Sequence, residues 1–71
     1  MDLQKQIEEN RLFAFKCYVR DWKKQDENTV KSDGGVFSYT TKRGIVKKFQ
    51  AVSNARNSSF KVQGFYFAEL K

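Results

Sequence analysis

The chain has 71 residues, of which 14 are Lys or Arg and 8 are Asp or Glu, and its net charge is +6. This length fits one small domain, residues 1–71, and excludes two. Because the sequence contains no histidine and only one cysteine, an intrachain disulfide and a structural zinc site are excluded, and we predict no metal and no cofactor.

Cysteine usage and hydropathy indicate the compartment. The single thiol, Cys17, is typical of a reducing environment. The first ten residues are mostly polar, and apolar runs such as 65–68 are far shorter than the roughly 20 residues of a membrane span. We therefore expect a cytoplasmic protein with no membrane partner.

The charged residues are distributed unevenly along the chain. Residues 1–33 contain seven basic and seven acidic side chains, whereas residues 34–71 contain seven basic side chains and one acid, Glu69. The second half therefore carries the whole net charge, and its self-repulsion mildly disfavours the compact state. A bound polyanion would offset this repulsion. The asymmetry thus favours nucleic acid as a partner, ahead of an acidic protein or a merely solubilising surface.

The first third of the chain predicts a short helix and then a strand. Residues 2–10 fit a helix with Asp2 as its N-cap. In residues 12–22 apolar side chains alternate with mixed ones and β-formers are abundant, which predicts a strand. The alternative is that the helix continues to the end of this segment, along an apolar stripe that Arg11 interrupts.

A β-hairpin is predicted in the middle of the chain. The residue pair Asp33-Gly34 lies between two short β-forming segments, a strong signal for a tight turn. Its second arm is predicted over residues 35–40, and a polar loop, residues 23–28, precedes the hairpin.

The segment 42–56 predicts a second helix, because its apolar residues recur at three- and four-residue steps. The alternative is a three-residue hairpin loop at 42–44 followed by a strand over 45–52. Helical spacing fits the apolar residues better, so the helix is preferred.

The last predicted element is a strand over residues 60–70, with Phe60 and Tyr66 on one face and Phe65 and Phe67 on the other. The predicted order is therefore α-β-β-β-α-β. This order indicates an α+β fold, in which a small, largely antiparallel sheet of three or four strands has one or two helices packed on one face.

The sharpest candidate site is an anion site at the start of the predicted second helix. The first amides of a helix lack intrahelical partners, and Lys42 and Arg43 stand there against the helix dipole. A phosphate would make that arrangement favourable; the alternative is that both side chains extend into solvent. The residues predicted to contact phosphates are Thr40, Thr41, Lys42, Arg43, Lys47, Lys48, Arg56 and Lys61.

A second candidate is a surface on which single-stranded bases stack. Aromatic rings interleaved with cations on an open sheet face form such a surface. The alternative is that a helix or a dimer partner covers the rings. The predicted stacking residues are Tyr18, Trp22, Phe65 and Phe67.

Residues 63–70 also resemble the aromatic strand motif of RNA-recognition motif domains, with Gly64, Phe65 and Phe67 in register. The segment departs from that motif at Tyr66, where a small residue is usual. Membership of that family is therefore not predicted.

These features predict a non-enzymatic nucleic-acid-binding module that contacts phosphates through its basic second half. Catalysis is not predicted, because histidine is absent and Cys17 lies among apolar residues, where a thiol is packed rather than nucleophilic. The alternative function is a small protein-interaction module, such as an inhibitor or adaptor from a mobile element. It would bind an acidic partner through the basic surface, or form a homodimer through the aromatic sheet face.

Overall fold

The computed structural model describes residues 3–70, so the predicted N-cap Asp2 lies outside the described residues. One long helix, α1 (Leu3–Asp21), precedes five strands and two short 3₁₀ turns at Glu27–Thr29 and Ala55–Asn57. The strands are β1 (Lys31–Asp33), β2 (Val36–Thr40), β3 (Val46–Val52), β4 (Phe60–Val62) and β5 (Phe65–Leu70).

All five strands form one antiparallel sheet in the order β1-β2-β3-β5-β4. The α+β class and the antiparallel sheet are confirmed. The predicted number of three or four strands and the order α-β-β-β-α-β are wrong, because the structure has one helix and five strands.

The strand predicted over residues 12–22 is wrong, and its alternative is right: the helix continues to Asp21. Phe15 and Val19, four residues apart, are both fully buried against the sheet. Phe13 is 62% exposed, although strict alternation would have buried it beside Phe15. Helical spacing therefore produces the buried stripe of this segment.

The predicted hairpin is confirmed between β1 and β2. Asp33 lies opposite Val36, so Gly34 and Gly35 form the two-residue turn, one position later than the predicted pair. This turn brings a short edge strand alongside β2.

The second helix predicted over residues 42–56 is wrong, and its alternative is right. Residues 42–44 form a hairpin loop, and β3 follows it. Gly44 has a φ of +85°, in the left-handed region that favours glycine. Since β3 is the central strand and pairs with both β2 and β5, its tertiary pairing outweighs the helical spacing of its apolar residues.

The last predicted strand is in fact two strands joined by a tight turn. Gln63 and Gly64 form this turn with φ values of +50° and +86°, as in the mirror-image turns of two-residue hairpins. The turn places Phe60 opposite Phe67, so both rings lie on the same face of the sheet. The prediction had placed them on opposite faces.

Helix α1 packs against one face of the sheet and makes an aromatic core there. Phe15 lies at the centre, with the centroids of six other aromatic rings 5.4–6.4 Å from its own. The buried cluster comprises Phe15, Val19, Phe37, Tyr39, Phe49 and Phe67. No helix of the described residues is long and apolar enough to cross a membrane.

Side chains alternate between the two sides of a strand, so the other sheet face points away from α1. We call it the open face, and no helix within residues 3–70 covers it. Lys48 and Gln50, on its central strand, are exposed. The open face comprises Lys31, Asp33, Val36, Ser38, Thr40, Val46, Lys48, Gln50, Val52, Lys61, Tyr66, Ala68 and Leu70.

Candidate nucleic-acid interface

The segment 40–44, predicted as an anion site, is a hairpin loop and not a helix start. The Lys42 amide donates to Gln25 Oε1 at 2.9 Å. The Ile45 amide donates to Thr41 Oγ1 at 3.1 Å, so this hydroxyl holds the loop closed. These groups already have partners within the chain, and the predicted cradle of free helix amides does not form.

The six cations predicted to contact phosphates do not converge. Lys42 and Arg43 lie in the loop before β3, whereas Arg56 lies in the 3₁₀ turn beyond the other end of that strand. Lys47 and Lys48 are consecutive on β3 and therefore project from opposite faces. Lys47 shares the face of α1, and Lys48 belongs to the open face.

The open face carries Lys48 and Lys61 and also Lys31, which the sequence reasoning missed, although Lys31 and Lys61 lie on its opposite edge strands. Lys31 lies opposite Ser38, and Ser38 lies opposite Lys48, so the two lysines share one row across the sheet. At about 4.8 Å between strands, their backbones are about 10 Å apart. Lys61 lies in another row, opposite Tyr66.

A signal for Lys31 was present in the sequence. It precedes the predicted turn at Asp33-Gly34 by two residues, so hairpin pairing places it on the same face as Ser38. Lys31 lies in the half of the chain whose charges balance. The structure shows that the sheet face, rather than the half of the chain, decides which cations are neighbours.

The open-face lysines have no carboxylate partner in the described part of the chain. The ion pairs closer than 4.0 Å there both involve Arg20, whose hydrogen bond also lowers the pKa of Asp21. Asp33 is the one acid on the open face. The Lys61 ammonium lies 5.4 Å from the centroid of the Tyr66 ring, a cation–π contact. Within residues 3–70, the open-face lysines therefore have no carboxylate within 4.0 Å, although Asp33 shares the strand and the face of Lys31.

The rings predicted to stack on bases mostly face the core. Phe67 is fully buried, and Tyr18 stacks on Phe60 with centroids 3.7 Å apart. Phe65 is partly buried and packs against the core cluster. Trp22 is 75% exposed, but it follows α1 and is not part of the sheet. These four residues therefore do not form the predicted stacking platform.

Comparison with known proteins identifies no relative. No protein-family model, curated protein or solved structure matches the chain. Within residues 3–70 there is also no group of three or more His, Cys, Asp or Glu side chains placed to hold a metal ion. Function is therefore inferred from the fold and its surface chemistry.

Proposed function

We propose that this domain binds single-stranded nucleic acid across the open face of its sheet, as a binding module and not an enzyme. One observation carries the proposal: Lys31, Lys48 and Lys61 project from a sheet face that no helix in residues 3–70 covers. A five-stranded face is too broad for the major groove of a duplex, which admits a helix or a two-stranded ribbon. A single strand can lie along such a face.

The side chains of the open face divide into three kinds of contact. The lysines bind phosphates, and Tyr66 offers one ring for base stacking, worth about 1–3 kcal/mol. Ser38 and Gln50, between the lysines, can hydrogen-bond to base edges or sugars. With few base-specific groups, binding depends more on charge than on sequence.

The number of lysines sets the salt dependence of binding. Three phosphates neutralised on a single strand give a slope of log affinity against log salt of about −2. A slope near −4 would require the scattered cations of the loops as well. The measured slope therefore reports how many cations share one surface.

The experiment uses a 5′-hydroxyl oligonucleotide of about 12 nucleotides, labelled at its 3′ end and followed by fluorescence anisotropy. Lys48→Gln is the test variant, and Lys47→Gln is its matched control, because the two residues are adjacent on β3 and project from opposite faces. We expect Lys48→Gln to weaken binding about five- to tenfold and to lower the slope by about 0.7. Lys47→Gln should stay within about twofold of the native protein.

Two results would contradict the proposal. One is no binding of the native protein at about 50 mM salt, where electrostatic binding is strong. The other is an equal loss in both variants, which would mean that net charge alone, and no particular face, attracts the strand.

A second candidate is a protein-interaction module, favoured by the apolar side chains of the open face. Val46 and Leu70 are both exposed and lie on the neighbouring strands β3 and β5. An acidic protein or a second copy of the chain would cover them. The solution mass, and a pull-down with and without nuclease, separate the candidates: a partner that nuclease does not release supports the protein-interaction module.

A further inference from the structure

A polar cleft lies on the α1 side of the sheet, away from the open face. Its volume is about 340 Å³, near the lower end of ligand-binding pockets. We call it the tyrosine–lysine cleft. Its polar lining residues are Tyr18, Lys23, Tyr39, Lys47, Ser59 and Glu69.

Both tyrosine rings of the cleft are held by aromatic neighbours. Tyr18 stacks on Phe60 with centroids 3.7 Å apart and an interplanar angle of 7°. Tyr39 is nearly parallel to Phe49, at 6.0 Å and 9°, and is only 4% exposed. Because the rings are packed against aromatic neighbours, the two tyrosine side chains that line the cleft are held in fixed orientations.

Lys23 is positioned by the end of α1. Its amide donates to the Tyr18 carbonyl at 3.2 Å, and the Gln25 amide donates to the Val19 carbonyl at 3.1 Å. The Lys23 ammonium lies 5.7 Å from the Tyr18 ring centroid. A hydrogen bond to the Tyr18 hydroxyl raises the pKa of Lys23, so the ammonium stays charged.

The charges of the cleft favour an anion as its ligand. Lys47 lies opposite Tyr39 on the neighbouring strand and lines the same cleft as Lys23. Neither lysine has a carboxylate within 4.0 Å in the described residues, although Glu69 also lines the cleft. Two cations and one acid leave a net positive site that also has one hydrogen-bond acceptor.

We propose that the tyrosine–lysine cleft binds a phosphate monoester. A monoester carries about 1.5–2 negative charges at neutral pH, so the two ammonium groups attract it more strongly than a phosphodiester, which carries about one. Lys23 and Lys47 contact the phosphoryl oxygens, and the two phenols donate hydrogen bonds to them. Glu69 accepts a hydrogen bond from a hydroxyl group of the esterified moiety. This site does not use residues of the open face, so the monoester proposal and the proposed function are tested independently.

The first test titrates inorganic phosphate, to about 10 mM, into ¹⁵N-labelled full-length protein, with the amide signals of the cleft residues as the readout. We expect saturable shifts at Lys23, Lys47 and Glu69. Lys47→Gln should weaken binding about tenfold, Lys47→Arg should restore most of it, and Lys48→Gln on the opposite face should change it less than twofold. Absence of saturable shifts overturns the proposal, as does an equal effect of Lys47→Gln and Lys48→Gln.

The second test separates the two sources of a monoester. One arm uses a nucleoside 5′-monophosphate, and the other uses one oligonucleotide with either a 5′-phosphate or a 5′-hydroxyl. If the free nucleotide binds and the 5′-phosphate gives the oligonucleotide no advantage, the ligand is a small molecule. If the 5′-phosphate strengthens oligonucleotide binding about tenfold and Lys47→Gln abolishes only that gain, the ligand is a strand end. If neither monoester binds more tightly than its phosphate-free counterpart, the cleft is not a monoester site.

Discussion

Two phenylalanines on α1 provide a direct test of how this domain is held together. Phe15 is fully buried among six aromatic rings, whereas Phe13, two residues earlier, is 62% exposed. In a helix two such residues point about 200° apart, whereas in a strand they would share one face. Phe15→Leu therefore measures how much the buried ring contributes to the free energy of unfolding, and Phe13→Leu is its matched control.

The structure sets the size of the two effects. Phe15→Leu removes three buried carbons at about 0.8 kcal/mol each, and the smaller side chain also leaves a gap, so we expect a loss of about 2–3 kcal/mol. Phe13→Leu removes carbons that are mostly in water, and we expect a change of about 0.5 kcal/mol or less. A domain of this size has a total stability of about 4–10 kcal/mol, so the first loss is a large share of it.

Urea unfolding followed by circular dichroism at the helix band measures both variants. With a slope of about 1 kcal/mol per molar urea, Phe15→Leu lowers the midpoint by about 2–3 M, and Phe13→Leu leaves it nearly unchanged. Equal destabilisation by the two substitutions would refute the reasoning. It would mean that both rings share a buried face, as in the strand predicted over residues 12–22.

Three further predictions concern a titration, a turn and a thiol. Burial raises the pKa of Tyr39, so this phenol ionises at a lower pH in the unfolded chain than in the folded protein. The free energy of unfolding therefore falls above about pH 10, and it should fall less in Tyr39→Phe than in the native protein. Gln63 has a φ of +50°, in the left-handed region that asparagine adopts more readily than glutamine. Gln63→Asn should therefore raise the free energy of unfolding by about 0.5 kcal/mol and the melting temperature by about 2–4 °C. A lowered melting temperature would contradict this turn geometry. Cys17 is only 8% exposed, so a thiol reagent should modify it at least about a hundredfold more slowly in native protein than in urea, and comparable rates would contradict its burial.

Local signals in the sequence predicted the turns better than they predicted the elements between them. The hairpin at Asp33-Gly34 was predicted because a tight turn depends on the backbone freedom of a few adjacent residues. The loop at 42–44 is one of the two interpretations that the sequence allows, and Gly44 has the positive φ that such a loop needs. The excluded disulfide and zinc site likewise follow from residue counts alone.

Tertiary packing decided the segments whose apolar residues fit two periodicities. In residues 12–22, Phe15 and Val19 suit both an alternating strand and a helical stripe, and in the structure they pack as a helical stripe into the core cluster formed with the sheet. Over residues 45–52 the opposite selection occurs, because β3 completes the hydrogen bonding of strands on both sides.

The residues of the open face could not be predicted from the sequence for a related reason. Which face a strand residue occupies depends on register, and one turn reverses that assignment for every residue after it. The turn at Gln63 and Gly64 moved Phe67 into the core and left Tyr66 beside Lys61 on the open face. The sequence by itself determined how much positive charge the second half carries. Only the pairing of the strands decided which of those charged residues lie on the same face of the sheet.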